Sequence, residues 1–179
     1  MTDEREGVEA HEEAEGQADQ RARVLDGIKS YGADYADLRR AFAGWLQLHP
    51  GDATALIEIA NDEKRGRLLT PARLGERIRL SPNATSALLN RLEAADHVRR
   101  THEHPDRRVI TLRAGPHAQA LVAEYFDPVA VQVNAAMADY PDDLLARFAD
   151  FLEHLHHTMR DVLAEKHGEA RGERGQERH

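Results

Sequence analysis

The chain contains no cysteine among its 179 residues. This absence excludes disulfide bonds, thiolate nucleophiles, cysteine-ligated zinc and any cysteine redox switch. Aromatic residues make up only 5% of the chain, so we expect an aliphatic, helical core. No apolar run approaches the length of about 18 residues that predicts a membrane span, and the acidic N-terminus does not resemble a signal peptide. We therefore expect a cytoplasmic protein.

The sequence also lacks the motifs that mark common enzymes. It has no glycine-rich phosphate loop, no Ser-His-Asp candidate in a strained turn, and no paired acids with apolar flanks. We therefore expect neither an enzyme nor a bound cofactor.

Charge is distributed unevenly along the chain, whose net charge is −8. Residues 1–20 carry eight acidic side chains and no apolar periodicity, so we expect them to be disordered, like the apolar-free tail at 167–179. Between Arg65 and Arg108, ten arginines face five acidic residues, a surplus of five positive charges. A basic segment inside an acidic protein indicates a negatively charged partner for that segment.

Helical periodicity runs from Val24 to Leu48, after which Pro50 and Gly51 predict a break with Asp52 as the cap of the next helix. The segments that follow alternate helices with one β-hairpin. We predict helices over 53–66, 71–78, 82–95, 118–140 and 141–165, with a kink at Pro128. The predicted hairpin has strands at 97–101 and 109–112, joined by a turn-rich tip at 102–107.

The helix that begins at Pro82 carries small and polar residues where most surface helices carry Glu and Lys. Ser81 is the predicted cap, and Pro82 suits the first helical position. The buried side is predicted to hold Thr85, Leu88, Leu89 and Leu92; the outward face, Asn83, Ser86, Ala87, Asn90 and Arg91. Such a face fits a DNA recognition helix, because short side chains let it lie close to base edges in the major groove. The helix alone fits a solvated surface helix equally well.

The hairpin favours the DNA interpretation, because four of its residues are arginines: Arg99, Arg100, Arg107 and Arg108. A basic hairpin beside a recognition helix is a wing, whose arginines can enter a narrow minor groove. Asp106 could hold the Arg108 guanidinium in a fixed fork. The alternative is a solvated turn in which Asp106 makes only a turn hydrogen bond.

Residues 69–112, LTPARLGERIRLSPNATSALLNRLEAADHVRRTHEHPDRRVITL, resemble the winged helix-turn-helix core of the MarR family of bacterial transcription regulators. The motifs that carry the resemblance are Leu69-Thr70-Pro71, Leu80-Ser81, Arg91-Leu92-Glu93, Val98-Arg99-Arg100 and Asp106-Arg107-Arg108. The similarity covers about residues 53–123. Arg79 stands where the family usually has a turn glycine, Asp96-His97 replaces its Gly-Leu, Ala114-Gly115 replaces its Leu-Thr, and Ala87 replaces a frequent basic residue.

The resemblance implies a mainly α (α+β) fold with a winged helix-turn-helix DNA-binding lobe at 50–115. Long helices at 21–49 and 116–166 would form a dimerisation lobe. The implied regulator is a homodimeric repressor that binds a pseudo-palindromic operator with half-sites roughly 34 Å apart. In this interpretation Ser81 and Pro82 belong to the recognition surface, the wing contacts come from Arg100, Asp106, Arg107 and Arg108, and further phosphate contacts come from Thr70, Arg73 and Arg79.

Apolar residues outside the DNA-binding lobe are candidates for the dimer interface, the core, or both. They are Leu25, Ile28, Tyr31, Val129, Val133, Leu144, Leu145, Phe148, Phe151, Leu152 and Leu155. Related regulators often release DNA on binding a small anionic aromatic compound. Tyr31, Tyr35, Arg39 and Trp45 could line such a site, although each also fits an ordinary core or surface position.

Two alternatives to ligand-controlled DNA binding remain open. His154, His156 and His157, with His102 and His104, suggest a metal-responsive regulator. However, His156 does not share a helix face with the other two, and the last pair lies at the wing tip, so we predict no metal site. The second alternative is a winged-helix module that binds protein, which an acidic rather than a basic wing would favour.

Overall fold

The computed structural model describes the backbone of residues 3–176 and the side chains of residues 16–166. Within that part of the chain, six helices and one two-stranded sheet confirm the predicted mainly α fold. The elements are α1 (Asp3–Trp45), α2 (Pro50–Lys64), α3 (Pro71–Ile78), α4 (Pro82–Ala94), β1 (Val98–Thr101), β2 (Thr111–Ala114), α5 (Pro116–Met137) and α6 (Asp142–Gln176). The chain divides into two compact units between Tyr125 and Phe126.

Helices α3 and α4 begin where the capping signals predict. The Thr70 hydroxyl accepts a hydrogen bond from the backbone N–H of Arg73 at 3.3 Å, and Ser81 does the same for Ala84 at 3.3 Å. Each cap is followed by a proline at the start of the helix, where the missing N–H costs no intrahelical bond. These two starts define the helix-turn-helix.

The core of the first unit is aliphatic apart from Phe42. It is formed by side chains from α1, α2, α3, α4 and both strands, including Phe42, Leu56, Ile57, Ile59, Leu74, Leu89, Leu92, Val98 and Leu112, each no more than 1% exposed. The predicted inward face of α4 is confirmed, because Thr85, Leu88, Leu89 and Leu92 are all buried. Burial of this stripe fixes which face of α4 points outward.

Strands β1 and β2 are antiparallel, with Val98 opposite Ala114 and Thr101 opposite Thr111. An isolated bridge pairs Leu69 with Leu112 of β2, in which the Leu112 N–H donates to the Leu69 carbonyl at 2.9 Å. The predicted second strand at 109–112 was two residues too early. Val109 is instead drawn into the tip, where its N–H donates to the Asp106 carbonyl at 3.0 Å.

The terminal disorder that we predicted differs from the structure. Residues 3–20 continue α1 and residues 167–176 continue α6, while residues 1–2 and 177–179 lie outside the described residues. Glutamate, alanine and glutamine are good helix formers, and acidic residues suit a helix N-terminus. We predicted disorder because these segments lack an apolar stripe. In the structure they extend the neighbouring helices, which their helix propensity favours.

The predicted break at 49–52 was also misplaced, because Pro50 and Gly51 lie in the first turn of α2. The cap of α2 is His49, whose Nδ1 accepts a hydrogen bond from the Gly51 N–H at 3.1 Å. Asp52 is not the cap. It lies in the first turn and is buried, which gives it a different role in the interface described below.

Two non-glycine residues adopt the left-handed conformation at the ends of α3 and α4. Arg79 has φ 57° and Asp96 has φ 55°, so the turns keep the backbone geometry that glycine would favour. Gly75 explains why α3 and α4 pack closely, since a Cβ there would lie 2.7 Å from the Thr85 hydroxyl. The helix-turn-helix therefore keeps a glycine at the contact of its helices rather than in its turn.

The second unit contains the end of α5 and all of α6. Pro128 lies inside α5. Four apolar residues of α6 are each between 39% and 48% exposed: Leu144, Phe148, Phe151 and Leu152. Among the described residues, no helix is both long and apolar enough to cross a membrane.

Candidate nucleic-acid interface

The outward face of α4 is formed by the residues that the sequence predicts. Ser81, Pro82, Asn83, Ser86, Ala87 and Asn90 are all exposed. Apart from Arg91, none of the side chains on this face carries a charge, so it offers hydroxyl, carboxamide and methyl groups. These are the groups that match base edges in the major groove.

Arg91 is anchored to α2. Its Nη2 and Nε donate to the two carboxylate oxygens of Asp52 at 2.6 Å and 3.0 Å. The Asp52 side chain is only 8% exposed, whereas that of Arg91 is 57% exposed. This hydrogen bond, and the charge of Asp52, raise the pKa of the Arg91 guanidinium. The predicted base-contacting role of Arg91 thus competes with a structural one, since its fork of donors already holds a carboxylate.

Arg100 also points toward α4. Its Nη1 forms an ion pair with the Glu93 carboxylate, and its backbone N–H donates to Glu93 Oε1 at 3.2 Å. Its Nη2 donates to Asn90 Oδ1 at 3.1 Å. We predicted Arg100 as a wing contact; its guanidinium lies against α4, where Glu93 holds it, and its contact with DNA stays a prediction.

The wing tip presents Arg108 in the fork that we predicted. Arg108 Nε and Nη2 donate to the Asp106 carboxylate at 3.1 Å and 3.0 Å, and the Arg108 backbone N–H adds a third bond at 3.0 Å. The side chain of Arg108 is nevertheless 90% exposed. Hydrogen bonds from the side chain and backbone of Arg108 lower the pKa of Asp106. The carboxylate therefore orients Arg108 while leaving most of its surface accessible.

Histidines shape the same tip, where Arg107 is exposed. His102 Nδ1 is 2.9 Å from the Arg107 carbonyl oxygen, and His104 Nδ1 accepts a hydrogen bond from the Asp106 N–H at 3.1 Å. Both rings are therefore engaged with the backbone of the tip. In residues 16–166, no three His, Asp or Glu side chains are grouped so as to hold a metal ion.

The base of the wing is joined to α2 through Arg113. Its Nη1 donates to Glu63 at 2.8 Å and its Nε to Glu103 at 3.1 Å. The Ala114 N–H donates to the other Glu63 oxygen at 3.1 Å. The hydrogen bonds that Arg113 donates to Glu103 raise the pKa of Arg113 despite partial burial. This arginine, which was not among the predicted site residues, holds the hairpin against α2.

The predicted phosphate contacts lie on or next to α3. Thr70 caps the helix, so its hydroxyl is already an acceptor, while Arg73 and Arg79 are exposed. Asp62 of α2 forms two ion pairs, from Oδ1 to Arg67 Nη2 and from Oδ2 to Arg77 Nη2, both at 2.9 Å. Burial raises the pKa of the Asp62 carboxyl, but the bonds from the two arginines outweigh it, so the net pKa is lowered.

The four predicted effector-site residues fall into two groups. Tyr31 and Tyr35 stack with ring centroids 6.2 Å apart, and the Arg39 guanidinium lies 5.9 Å from the Tyr35 ring. Trp45 instead packs 6.2 Å from Phe42 and 5.4 Å from Tyr125. The structure brings Tyr31, Tyr35 and Arg39 together and places Trp45 in a separate aromatic cluster.

Two carboxylates, Asp52 and Glu93, anchor the α4 side of the interface. Asp52 was predicted only as a helix cap and Glu93 only as part of a motif, so neither anchoring role was predicted. Asp52 is 39 residues from Arg91, so no local pattern links the pair. Glu93 and Arg100 are seven residues apart across a helix end and a turn. In a sequence, the signal for a carboxylate that anchors a distant arginine is only a charged residue next to an apolar stripe.

Comparison with known proteins agrees with this geometry. Residues 46–109 match the sequence model of the MarR family. The fold is similar to that of a point mutant of MepR from a multidrug resistant S. aureus clinical isolate, with 12% identity, a TM-score of 0.56, and coverage of 77% of this chain and 96% of that one.

Two further solved structures share the fold. A MarR family protein from Bacillus stearothermophilus has 18% identity and a TM-score of 0.53, with coverage of 79% of this chain and 96% of that one. A MarR family regulator from Neisseria meningitidis has 18% identity and a TM-score of 0.51, covering 79% and 97%. No curated protein matches the chain.

Proposed function

We propose that this protein binds a DNA operator as a homodimer and represses transcription, because residues 46–109 match the sequence model of the MarR family and strand β2, directly after them, completes a winged helix-turn-helix. Members of that family are transcription regulators rather than enzymes. The observation that carries the proposal is the pairing of an uncharged, exposed α4 face with an exposed Arg108 at the wing tip. The first supplies base-edge contacts and the second supplies attraction to phosphate or the minor groove.

The exposed apolar residues of α6 are suited to form the interface of a two-fold dimer. Leu144, Phe148, Phe151 and Leu152 remain substantially exposed in one copy of the chain, and exposed apolar patches of this kind mark interaction sites. Two copies would place two α4 helices in successive major grooves, about 34 Å apart, of a pseudo-palindromic operator in the cytoplasm. Light scattering of the purified full chain should give a dimer mass, and a monomer at micromolar concentration would contradict this part of the proposal.

A gel shift tests the DNA-binding part. The probe is the DNA upstream of the coding sequence, and the control is a duplex of equal length and composition with shuffled order. We expect retention of the upstream probe at lower protein concentration than the control. Failure to retain either duplex at low salt would reject DNA binding, whereas equal retention would reject sequence specificity.

We further propose that a small aromatic anion releases the DNA. Arg39 donates to Glu58 at 3.2 Å, and the other Glu58 oxygen lies 3.5 Å from Arg77 of α3. A carboxylate that competes for Arg39 would therefore disturb the contact between α2 and α3, while its ring stacks on Tyr31 or Tyr35.

Benzoate is a suitable probe for this effector site. We expect it to lower operator retention by the wild type, and to have less effect on an Arg39→Gln variant. Isothermal titration calorimetry of both proteins measures benzoate binding in the absence of DNA. Equal release from both proteins would exclude Arg39 from the site.

A further inference from the structure

The orientation of the Asn90 carboxamide on α4 is determined by its neighbour. Asn90 Oδ1 lies 3.1 Å from Arg100 Nη2. An arginine side chain has five N–H donors and no acceptor, so only the oxygen of the carboxamide can face it. The amide nitrogen of Asn90, with its two N–H groups, is therefore the end that remains for a ligand.

Arg100 is itself held in place by two contacts to Glu93. The guanidinium forms an ion pair with the carboxylate, and the backbone N–H of Arg100 donates to Glu93 Oε1 at 3.2 Å. Both side chains are 29% exposed, so the pair is partly shielded from water. Glu93, Arg100 and Asn90 form a chain of hydrogen bonds that polarises the amide and makes it a better donor.

We propose that Arg100 is a positioning residue that makes Asn90 a donor in DNA recognition, so that the base facing Asn90 is guanine rather than adenine. The inference rests on the proposed DNA-binding function. A free asparagine pairs with adenine by accepting from N6 and donating to N7. Here the accepting oxygen already holds a guanidinium, whose positive charge opposes a second donor. Guanine presents two acceptors, N7 and O6, and no donor at that edge of the major groove.

The test is selection of bound duplexes from a randomised library by the full-length protein, followed by sequencing. Asn90→Ala identifies the base position that depends on Asn90. At that position we expect the wild type to prefer guanine over adenine by about tenfold, the discrimination of one good base contact. Arg100→Met keeps the apolar stem but removes the guanidinium, and it should move the preference at that position toward adenine while other positions stay unchanged.

Arg99→Met is the matched control, because Arg99 carries the same charge on the adjacent residue but pairs with Asp96 at 3.2 Å instead. We expect it to leave the preference for guanine unchanged. If the two variants change every position alike, Arg100 contributes only charge and the inference is wrong. A wild-type preference for adenine at the position that depends on Asn90 would also overturn it.

Asn90→Asp gives a second route that leaves both Glu93 and Arg100 in the chain. A carboxylate has no N–H to donate and accepts from the N4 amino group of cytosine, so guanine preference should be lost. Retained guanine preference would contradict the inference. If the wild type enriches no sequence but still binds DNA, this inference fails alone; if it binds no duplex at low salt, the proposed function fails with it.

Discussion

The helix pair α3–α4 and the wing anchor their arginines in different ways. Arg77 and Arg91 of the helix pair are bound by Asp62 and Asp52, whose side chains are 3% and 8% exposed. Arg108 of the wing is bound by Asp106, whose side chain is 43% exposed. Losing the partner of a buried carboxylate is costly, whereas exposed ion pairs contribute little to stability. We therefore expect the anchors of the helix pair to stabilise the fold, and the anchor of the wing to orient a cation toward DNA.

Gly115 lies where the wing is joined to the helix pair, next to the segment that follows α4. Its N–H donates to the His97 carbonyl at 2.8 Å, and a Cβ there would lie 2.3 Å from the Asp96 carbonyl oxygen. We predict that Gly115→Ala lowers the free energy of unfolding by about 3 kcal/mol in urea denaturation, the upper part of the usual range for overpacking.

Gly44→Ala is the matched control for Gly115→Ala, because nothing lies within 4 Å of a Cβ at that helical position. Replacing a helical glycine by alanine should stabilise the protein by about 0.5–1 kcal/mol. Equal effects of the two substitutions would show that the wing is not tightly joined at Gly115.

The difference between buried and exposed carboxylates is tested by two matched substitutions. Asp62→Asn removes the charge that holds Arg67 and Arg77, and we expect a loss of about 2 kcal/mol, typical of hydrogen bonds to a charged group. Asp106→Asn should leave the free energy of unfolding unchanged and weaken DNA binding. If Asp106→Asn destabilises the fold as much as Asp62→Asn, the two regions do not differ as described.

Asp62→Asn should also differ from the wild type in its stability at acid pH. The pKa of Asp62 is lowered in the folded protein, so its contribution is complete above the ordinary aspartate pKa of about 3.9 and is lost as the pH falls through the lower folded value. Urea denaturation at pH 7 and below pH 4 should show that Asp62→Asn loses less stability on acidification than the wild type. Parallel curves would exclude Asp62 as a source of acid sensitivity.

Glycine substitutions in the turn between α3 and α4 and inside α3 should have smaller effects on stability, of opposite sign. Arg79 has a positive φ that costs a non-glycine residue roughly 1–2 kcal/mol, so Arg79→Gly should stabilise the fold by about 1 kcal/mol. Arg73→Gly removes the same charge inside α3 and should destabilise it by about 0.5–1 kcal/mol. Thermal unfolding of both variants measures the difference, and stabilisation by neither would contradict the account of the turn.

Local signals in the sequence predicted the helix-turn-helix well. Ser81 with Pro82 and Thr70 with Pro71 are short-range capping patterns, and the leucines of α4 recur at helical spacing. Their positions depend on neighbours within a few residues, so the boundaries of α3 and α4 and the buried face of α4 followed from the sequence. The fork between Asp106 and Arg108 is equally local, being formed across two residues.

The anchors of the interface could not be predicted in this way. Arg91 with Asp52 and Arg113 with Glu63 join residues 39 and 50 positions apart, and such pairs are chosen by tertiary packing alone. The left-handed backbone of Arg79 was signalled only by the family resemblance, in which a glycine is usual at that position. The exposed face of α4 was therefore predicted correctly, but not the partners that orient Asn90 and Arg91. That this face contacts bases stays a prediction.

The most direct test of the account is the salt dependence of operator binding by the wild type, Arg108→Ala and Arg91→Ala, measured by fluorescence anisotropy. A wild-type protein with about 6–10 phosphate contacts should lose roughly a thousandfold or more in affinity between 50 and 200 mM salt. Arg108→Ala should reduce the slope by about one contact. Arg91→Ala leaves the buried Asp52 without its partner and so lowers stability, but it should leave the slope unchanged, because the Arg91 guanidinium is already engaged by Asp52. Salt-independent binding, or equal slopes for Arg108→Ala and the wild type, would contradict the central claim that the wing supplies the electrostatic attraction to DNA.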